Sequence, residues 1–244
     1  MFNKMLRIAL IGYGKMGHEV EAIALERGHT IVLRIDKDNI NDLNTENLKK
    51  SDVAIEFTSP STAMQNIQAC FDAGIPVVSG TTGWNNQLEI MVNKARNGEG
   101  TLFYASNFSI GVNIFFKLNN YIASILDRIG MYQPSITEIH HTQKLDAPSG
   151  TAITIANTLC NQMKAYEGWS LIPDSAERKI PIEAIREGQV PGTHIVTFTS
   201  EQDIITLKHE AKSRRGFALG AVLAAEFLSS RKGFYSMDDL LKLD

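Results

Sequence analysis

A glycine-rich turn between the first predicted strand and the first predicted helix is the feature that most constrains the fold of this chain. The turn reads Gly12-Tyr13-Gly14-Lys15-Met16-Gly17 and follows an apolar run at residues 7–11. The glycines permit a tight turn, close approach of the backbone to a pyrophosphate, and close packing of a helix on a strand. In this strand–turn–helix context the pattern predicts a dinucleotide site. The alternative is a glycine-rich turn that binds no ligand.

Short β-rich runs alternate with helical stretches through the first 105 residues. Strands are predicted at 7–11, 30–35, 52–57, 76–80 and 101–105, and helices at 15–27, 60–73 and 85–96. This alternation indicates right-handed βαβ units and a parallel sheet.

The pattern changes after Asn107. Helices are predicted at 112–128 and 151–164, a strand at 135–142, an antiparallel hairpin at 194–199 and 204–209, and a final helix at 215–228. Residues 165–192, interrupted repeatedly by Pro and Gly, are predicted to be loop or short edge structure. The predicted fold class is α/β: a Rossmann-type parallel-sheet domain plus a smaller α+β substrate domain with a mixed or antiparallel sheet.

Charge, apolar runs and cysteines exclude several classes of protein. The net charge of the 244 residues is -3, which disfavours a nucleic-acid partner, since phosphate binding needs a concentrated basic face. The longest apolar run, residues 217–225, is too short to span a membrane. Without a CxxC pair or zinc spacing, and without a signal-peptide core, the chain is interpreted as cytoplasmic.

Three further segments are predicted to line the dinucleotide. Asp36 ends the second strand, where a carboxylate binds ribose hydroxyls, whereas the adjacent Lys37 suits a 2′-phosphate or is simply solvated. The Gly80-Thr81-Thr82-Gly83 loop and the Ala105-Ser106-Asn107-Phe108 segment follow strands at the edge where open parallel sheets bind ligands. The second segment is also a candidate hinge.

Two histidines and a lysine precede a predicted helix start in the second half of the chain. Ser149 is a good N-cap, so the amides of Gly150 and Thr151 would point outward beside Lys144 and form a site for a carboxylate. Adjacent histidines on a strand face opposite sides, so His140 and His141 cannot easily share a metal, and no metal site is predicted. One of them is a candidate proton donor.

These residues resemble those of the 4-hydroxy-tetrahydrodipicolinate reductase family, also called the dihydrodipicolinate reductase family. The resemblance spans the chain, and its most specific segment runs from His140-His141 through Lys144 to Asp146-Ala147-Pro148-Ser149-Gly150-Thr151-Ala152. It implies NAD(P)H-dependent reduction of 4-hydroxy-tetrahydrodipicolinate, a small cyclic dicarboxylate, in diaminopimelate and lysine biosynthesis. It also implies a homotetramer.

The resemblance further implies a domain division and residue roles. A cofactor domain would comprise residues 1–108 and 215–244, and a substrate-binding and oligomerisation domain residues 109–214. His140 would donate and accept the proton, Lys144 would be the second proton donor, and His141, Gly150 and Thr151 would bind the substrate. The implied NADH or NADPH contacts are Gly12, Tyr13, Gly14, Lys15, Met16, Gly17, Asp36, Lys37, Gly80, Thr81, Thr82, Ala105, Ser106, Asn107 and Phe108.

Departures from the family pattern and two rival functions remain open. The first turn is one residue shorter than in many members, and Lys15 stands where they often have Arg, so coenzyme preference is undecided. The sequence also leaves open whether Arg214 or Arg215 reaches the substrate. The rivals are another nicotinamide enzyme, such as an amino-acid or sugar dehydrogenase, and a non-enzymatic redox sensor that binds NAD(P).

Overall fold

The structure, a computed structural model, describes residues 5–174, 176–213 and 215–242. The chain splits into two compact units, Met1–Ile110 with Arg215–Asp244 (unit 1) and Gly111–Arg214 (unit 2). Going along the chain, the first boundary between the units thus lies after Ile110, whereas the family resemblance implied a boundary after residue 108. In chain order the elements are β1 (Arg7–Ile11), α1 (Lys15–Glu26), β2 (Thr30–Ile35), a 3-10 turn (Lys37–Asp42), α2 (Thr45–Leu48), β3 (Val53–Glu56), α3 (Ala63–Ala73), β4 (Val77–Ser79), α4 (Asn85–Arg96), β5 (Thr101–Tyr104), α5 (Ile110–Ile129), β6 (Gln133–His140), α6 (Gly150–Gln162), β7 (Trp169–Leu171), β8 (Ile180–Arg186), β9 (Thr193–Thr199), β10 (Ile204–Glu210), α7 (Arg215–Leu228), β11 (Gly233–Tyr235) and α8 (Met237–Leu241).

Unit 1 is built on a six-stranded parallel sheet in the order β11-β5-β4-β3-β1-β2. Both faces are covered, because α1 and α7 contribute to one apolar cluster with the sheet and α3 and α4 to another. This explains why β1 and β3 are almost continuous apolar runs. The order of the strands reverses between β1 and β3, and their carboxyl ends therefore open the crevice where such sheets bind ligands.

Unit 2 is built on a five-stranded mixed sheet in the order β10-β9-β6-β8-β7. The pairs β10–β9 and β9–β6 are antiparallel, and β6–β8 and β8–β7 are parallel. Helices α5 and α6 pack on one face of this sheet, against Ile136, Ile182 and Val196 among others. Together the two sheets confirm the predicted fold class.

The prediction of loop or short edge structure over residues 165–192 was wrong for β8. This strand has seven residues and lies inside the sheet, between β6 and β7. Pro181 obscured it, because a proline within an apolar run argues against a central strand. The Ile180 amide donates to the Gly168 carbonyl and the Ile182 carbonyl accepts from the Ile172 amide, both on the β7 side. The nitrogen of Pro181 therefore faces β6, where the register begins only at Ile136 and Ile182, so its missing N–H lies at the start of that pairing.

Candidate active site

The glycine turn of unit 1 has the close contacts that the G-x-G-x-x-G pattern predicts. Gly12 has φ +93°, and a Cβ atom there would lie 2.0 Å from the carbonyl oxygen of Phe57. At Gly17 a Cβ would lie 2.5 Å from the carbonyl oxygen of Gly12, so α1 packs directly on the turn. Gly14, the N-cap of α1, faces open space. The turn is therefore shaped to let a phosphate approach the first amides of α1.

Two cavities adjoin this turn within unit 1, with volumes of about 550 Å³ and about 370 Å³. Both are lined by Gly14, Phe57 and Thr58, so they are neighbouring parts of one crevice. The larger also includes Gly12, Asp36, Lys37, Ile40, Ser59, Thr62 and Asn66, and the smaller Lys15, Met16, Gly17, Pro60, Gly80, Thr81 and Thr82. The crevice thus has room and suitable groups for both halves of a dinucleotide.

Asp36 and Lys37 lie at the wall of the larger cavity, directly after β2. The Asp36 carboxylate accepts a hydrogen bond from the Lys37 amide (2.9 Å), and the Asn39 side chain accepts one from the Asp36 amide (2.8 Å). This capping box fixes the turn while both side chains stay exposed. A ribose hydroxyl or a 2′-phosphate could therefore reach either group.

Glu56 is a functional candidate that the sequence reading missed. It ends β3 and is fully buried, and its carboxylate accepts hydrogen bonds from Ser79 (2.6 Å), Thr81 (2.7 Å) and Thr58. The hydroxyl of Thr81 in turn accepts from the Thr58 amide (2.8 Å). Glu56 therefore orders the loops around the smaller cavity, and its only sequence signal is a carboxylate at the end of an otherwise apolar strand.

Some predicted cofactor contacts lie outside both cavity linings. The Tyr13 hydroxyl donates to Glu21, and its ring centroid lies 4.2 Å from that of His18, with the two rings tilted by 55°. Phe108 is 2% exposed and belongs to the core, while Ala105 donates its amide to Ser79 (3.3 Å). The backbone of these segments borders the sheet edge, and their contact with a cofactor stays a prediction.

Unit 2 brings three titratable side chains together on the helix-covered face of its sheet: the predicted His140, and Glu138 and His194, which were not predicted. Glu138 of β6 is in register with His194 of β9, and His140 lies two residues after Glu138 on β6. The His140 Nδ1 atom is 3.2 Å from Glu138 Oε2, and the two imidazole rings are 5.1 Å apart. All three side chains are buried. His194 could not be assigned from sequence, since only strand pairing places it beside His140.

The start of α6 lies against this group. Ser149 is the N-cap, as predicted, because its hydroxyl accepts from the Ala152 amide (3.2 Å). Its own amide donates to Glu138 Oε1 (3.0 Å), and its hydroxyl lies 3.2 Å from His194 Nε2. The following amides, of Gly150 and Thr151, have no acceptor within the helix, and a Cβ at Gly150 would meet nothing within 4 Å. They form a candidate anion site.

Lys144 and His141 lie in the loop between β6 and α6. The Lys144 Nζ atom is 2.7 and 2.8 Å from the two carboxylate oxygens of Asp146, which lowers the pKa of Asp146. Such an exposed ion pair contributes at most about 1 kcal/mol, so a substrate dianion could compete for the ammonium. His141 is half-buried, and its amide donates to Val190 (2.9 Å).

The electrostatics of the buried group favour a charged Glu138 and a neutral His194. Burial alone would raise the pKa of Glu138, but contacts with His140, Ser149 and Arg186 outweigh it and lower that pKa to about 2. Burial, and then the neighbouring His140, lower the pKa of His194 to about 4. Near neutral pH the cluster therefore holds one charged carboxylate, that of Glu138, directly beside the His140 ring.

Glu138, His140 and His194 also offer ligand atoms that all lie within 4.8 Å of one another. No metal site was predicted because His140 and His141 face opposite sides of a strand, but in this trio His140 is joined by His194 of β9. The Arg186 guanidinium, 3.0 Å from Glu138 Oε1, already balances the carboxylate and opposes a divalent cation. The trio is therefore better suited to proton transfer than to binding a metal ion.

His194 should make the stability of unit 2 sensitive to acid. Its folded pKa of about 4 lies below the ordinary 6.5, so the unfolded chain binds a proton that the folded chain does not. The free energy of unfolding therefore decreases by roughly 3 kcal/mol as the pH falls from above 6.5 towards 4. We expect urea unfolding at pH 7 and pH 4 to show a smaller loss for His194→Gln than for the wild type. An equal loss in both proteins would contradict this assignment.

The two arginines left open by the sequence have different outcomes. Arg215 begins α7 in unit 1, and its guanidinium is 2.6 Å from the Glu26 carboxylate. Arg214 lies outside the described residues. Within the described ranges, no helix combines the length and apolar character that crossing a membrane requires.

Comparison with known proteins connects these sites to one family. Residues 6–108 match the family described as dihydrodipicolinate reductase, N-terminus, and residues 111–241 match its counterpart, dihydrodipicolinate reductase, C-terminus. The chain is 48% identical over 237 residues to the 4-hydroxy-tetrahydrodipicolinate reductase of Christiangramia forsetii, covering 97% of this chain and 98% of that protein. The enzyme of the same name from Thermosipho africanus is 34% identical over 240 residues, with 97% and 98% covered.

A solved structure gives the same result. A dipicolinate-bound dihydrodipicolinate reductase from a Paenisporosarcina species is similar to this chain with a TM-score of 0.79 and 26% sequence identity. The similarity covers 96% of this chain and 98% of that one. It includes both units and therefore both candidate sites.

Proposed function

The chain belongs to the dihydrodipicolinate reductase family, and on this premise we propose how its residues share the work of the reaction. The enzyme is an oxidoreductase that reduces 4-hydroxy-tetrahydrodipicolinate to tetrahydrodipicolinate in diaminopimelate and lysine biosynthesis. The conversion adds one hydride and one proton and releases the 4-hydroxyl as water. The protein must therefore hold a dianion, a hydride donor and a proton source.

We propose that His140 supplies the proton from its Nε2 atom. The carrying observation is that its Nδ1 atom lies 3.2 Å from the buried Glu138 carboxylate, which leaves Nε2 for the substrate. Gly192 borders that atom, since a Cβ there would lie 3.1 Å from His140 Nε2. General acid catalysis of this kind contributes about 10²- to 10⁴-fold.

The substrate carboxylates would be held by the start of α6 and its flanking loop. The amides of Gly150 and Thr151 and the side chains of His141 and Lys144 would bind them, and Lys144 would be the second proton donor. Charge-assisted hydrogen bonds of this type contribute about 1.5–3 kcal/mol each. Support comes from the capped helix start and from the dipicolinate named for the Paenisporosarcina structure, which is also a cyclic dicarboxylate.

The unit 1 crevice fits a reduced nicotinamide nucleotide. When bound, this cofactor supplies the hydride. The pyrophosphate would contact the turn of Gly12, Gly14 and Gly17, and the loop of Gly80, Thr81 and Thr82 would contact the nicotinamide ribose. The close contacts at Gly12 and Gly17 and the two cavities support this placement.

We propose that both NADH and NADPH bind, with Asp36 favouring the first and Lys37 the second. Asp36→Asn keeps a cap acceptor but loses the charge that binds ribose hydroxyls, so we expect the KM for NADH to rise about tenfold, or about 1.4 kcal/mol. Lys37→Ala should raise the KM for NADPH by a similar factor and leave that for NADH unchanged. The measurement is loss of reduced-nicotinamide absorbance with 4-hydroxy-tetrahydrodipicolinate.

Asp38→Asn is the matched control, because Asp38 is an exposed carboxylate on the same turn and lies outside both cavity linings. Equal effects of Asp36→Asn on both coenzymes, or none, would contradict the assignment. Running the assay with amino-acid and sugar substrates in parallel tests the rival dehydrogenase function.

We also propose that the enzyme is a cytoplasmic homotetramer whose partner is the small dicarboxylate, and neither nucleic acid nor membrane. The net charge of -3 supports the absence of a polyanion partner. The edge strand β10, with Ile204 64% exposed, offers unpaired backbone groups for association through the unit 2 sheets. Light scattering should give about four times the 27.0 kDa chain mass, and a monomer would contradict the tetramer.

A further inference from the structure

Arg186, at the end of β8, uses its guanidinium to connect four acceptors. Its Nε atom donates to the Lys144 carbonyl (3.3 Å), and one terminal nitrogen donates to the Ile185 carbonyl (2.9 Å). The other donates to the Asp146 carbonyl (2.6 Å) and to Glu138 Oε1 (3.0 Å). A planar fork of five N–H donors suits this set of acceptors, whereas a lysine ammonium offers three donors from one point.

These contacts fix the loop that carries Lys144. The Lys144 and Asp146 carbonyls flank Leu145, and Arg186 holds both of them to the buried sheet. The backbone is therefore anchored at Lys144 and again at Asp146, although the loop lies near the surface. This anchoring fixes the position from which the Lys144 side chain extends.

Glu138 connects the same arginine to the other end of the site. Its Oε1 atom accepts from the Ser149 amide (3.0 Å) as well as from Arg186, and its Oε2 atom lies 3.2 Å from His140 Nδ1. One fully buried carboxylate therefore touches the N-cap of the anion-binding helix, the proton-donating histidine and the arginine that anchors the Lys144 loop.

We propose that Glu138 and Arg186 are positioning residues for the reduction, a role that rests on the proposed function of His140 and Lys144. Glu138 orients the His140 ring, and Arg186 holds the Lys144 loop against the helix start. A purely structural pair is a weaker explanation, because burying a charged pair often adds no stability relative to apolar side chains. The bonds of this pair are directed at the residues that handle the substrate.

Glu138→Gln tests the first half of the proposal. It keeps the shape and an acceptor for Ser149 but removes the charge, so we expect kcat to fall at least tenfold while the KM for the nicotinamide stays unchanged. Glu183→Gln, an exposed carboxylate on β8, is the matched control.

Arg186→Lys tests the second half. It keeps the positive charge beside Glu138 but loses the fork, so we expect the KM for the dicarboxylate to rise at least tenfold with an unchanged nicotinamide KM. Arg128→Met, a change at an exposed arginine of α5, should leave both parameters at wild-type values. Circular dichroism and melting curves show that each compared variant is folded.

If Glu138→Gln does not fold, Glu138→Asp replaces it, since it keeps the charge and lengthens the contact with His140. A folded Glu138 variant with kcat within twofold of wild type, or a wild-type substrate KM in Arg186→Lys, overturns the proposal. His140→Gln measured alongside distinguishes the two levels. If its kcat is also unchanged, the proposed function of His140 fails, and if only His140→Gln loses activity, the positioning role alone fails.

Discussion

Replacing His140 with glutamine is expected to lower kcat by about 10²- to 10⁴-fold, the full contribution of a general acid. Glutamine can still form hydrogen bonds in the space beside Glu138 and Gly192, but it cannot release a proton. The KM for the nicotinamide should stay at its wild-type value, because the cofactor crevice lies in unit 1. Steady-state assays that vary substrate and nicotinamide separately measure both quantities.

His209→Gln is the matched control for this prediction. His209 lies on β10 of the same sheet and is half-buried, less deeply than His140, and the substitution makes the same chemical change there. We expect its kcat to stay within about threefold of wild type, which corresponds to a change of less than about 0.7 kcal/mol in the activation free energy. Lys144→Ala should both lower kcat and raise the KM for the dicarboxylate. Near wild-type kcat in His140→Gln and Lys144→Ala would exclude the assigned roles.

Adding a single methyl group at Gly12 is expected to weaken nicotinamide binding at least 100-fold, or about 3 kcal/mol. Alanine at φ +93° is strained by about 1–2 kcal/mol, and its Cβ would lie 2.0 Å from the Phe57 carbonyl oxygen. A backbone atom cannot move aside as a side chain can. The turn after β1 and the end of β3 must therefore separate, which distorts the crevice proposed to hold the cofactor.

Gly98→Ala separates strain from collision. Gly98 also lies in unit 1 and has a similar φ of +85°, but a Cβ there would meet nothing within 4 Å. This variant should lose about 1–2 kcal/mol of stability and bind NADH and NADPH as the wild type does. Titration of both nucleotides, with melting curves for each protein, checks the pair. Nicotinamide affinity within threefold of wild type in Gly12→Ala would contradict the placement of the pyrophosphate.

Local patterns predicted most of the fold. The turn at residues 12–17 and strand β2 were expected at the positions where they occur, because apolar runs and glycines act within a few residues. Strand β8 was missed, since Pro181 interrupts its pattern and its burial depends on β6 and β7 lying on either side. The three-residue strand β11 was missed because its length carries no detectable period.

The candidate site divides in the same way. His140, His141, Lys144 and Ser149 could be selected from sequence, because they lie within one short segment that ends at a helix cap. Arg186 and His194 could not be selected, because they are far in sequence from the residues they contact. Arg186 contacts Glu138 from 48 residues away, and His194 contacts Ser149 from 45 residues away.

The sequence by itself determined the class of the fold, the glycine-rich turn and the segment that carries the proposed proton donor. These features depend on side-chain periodicity and turn chemistry between near neighbours, and the family resemblance rests on the same short motifs. Only the tertiary structure decided which charged groups surround His140. Strand pairing across the unit 2 sheet sets those distances. Burial opposes the charge on Glu138, but contacts with His140, Ser149 and Arg186 outweigh it, whereas burial keeps His194 neutral.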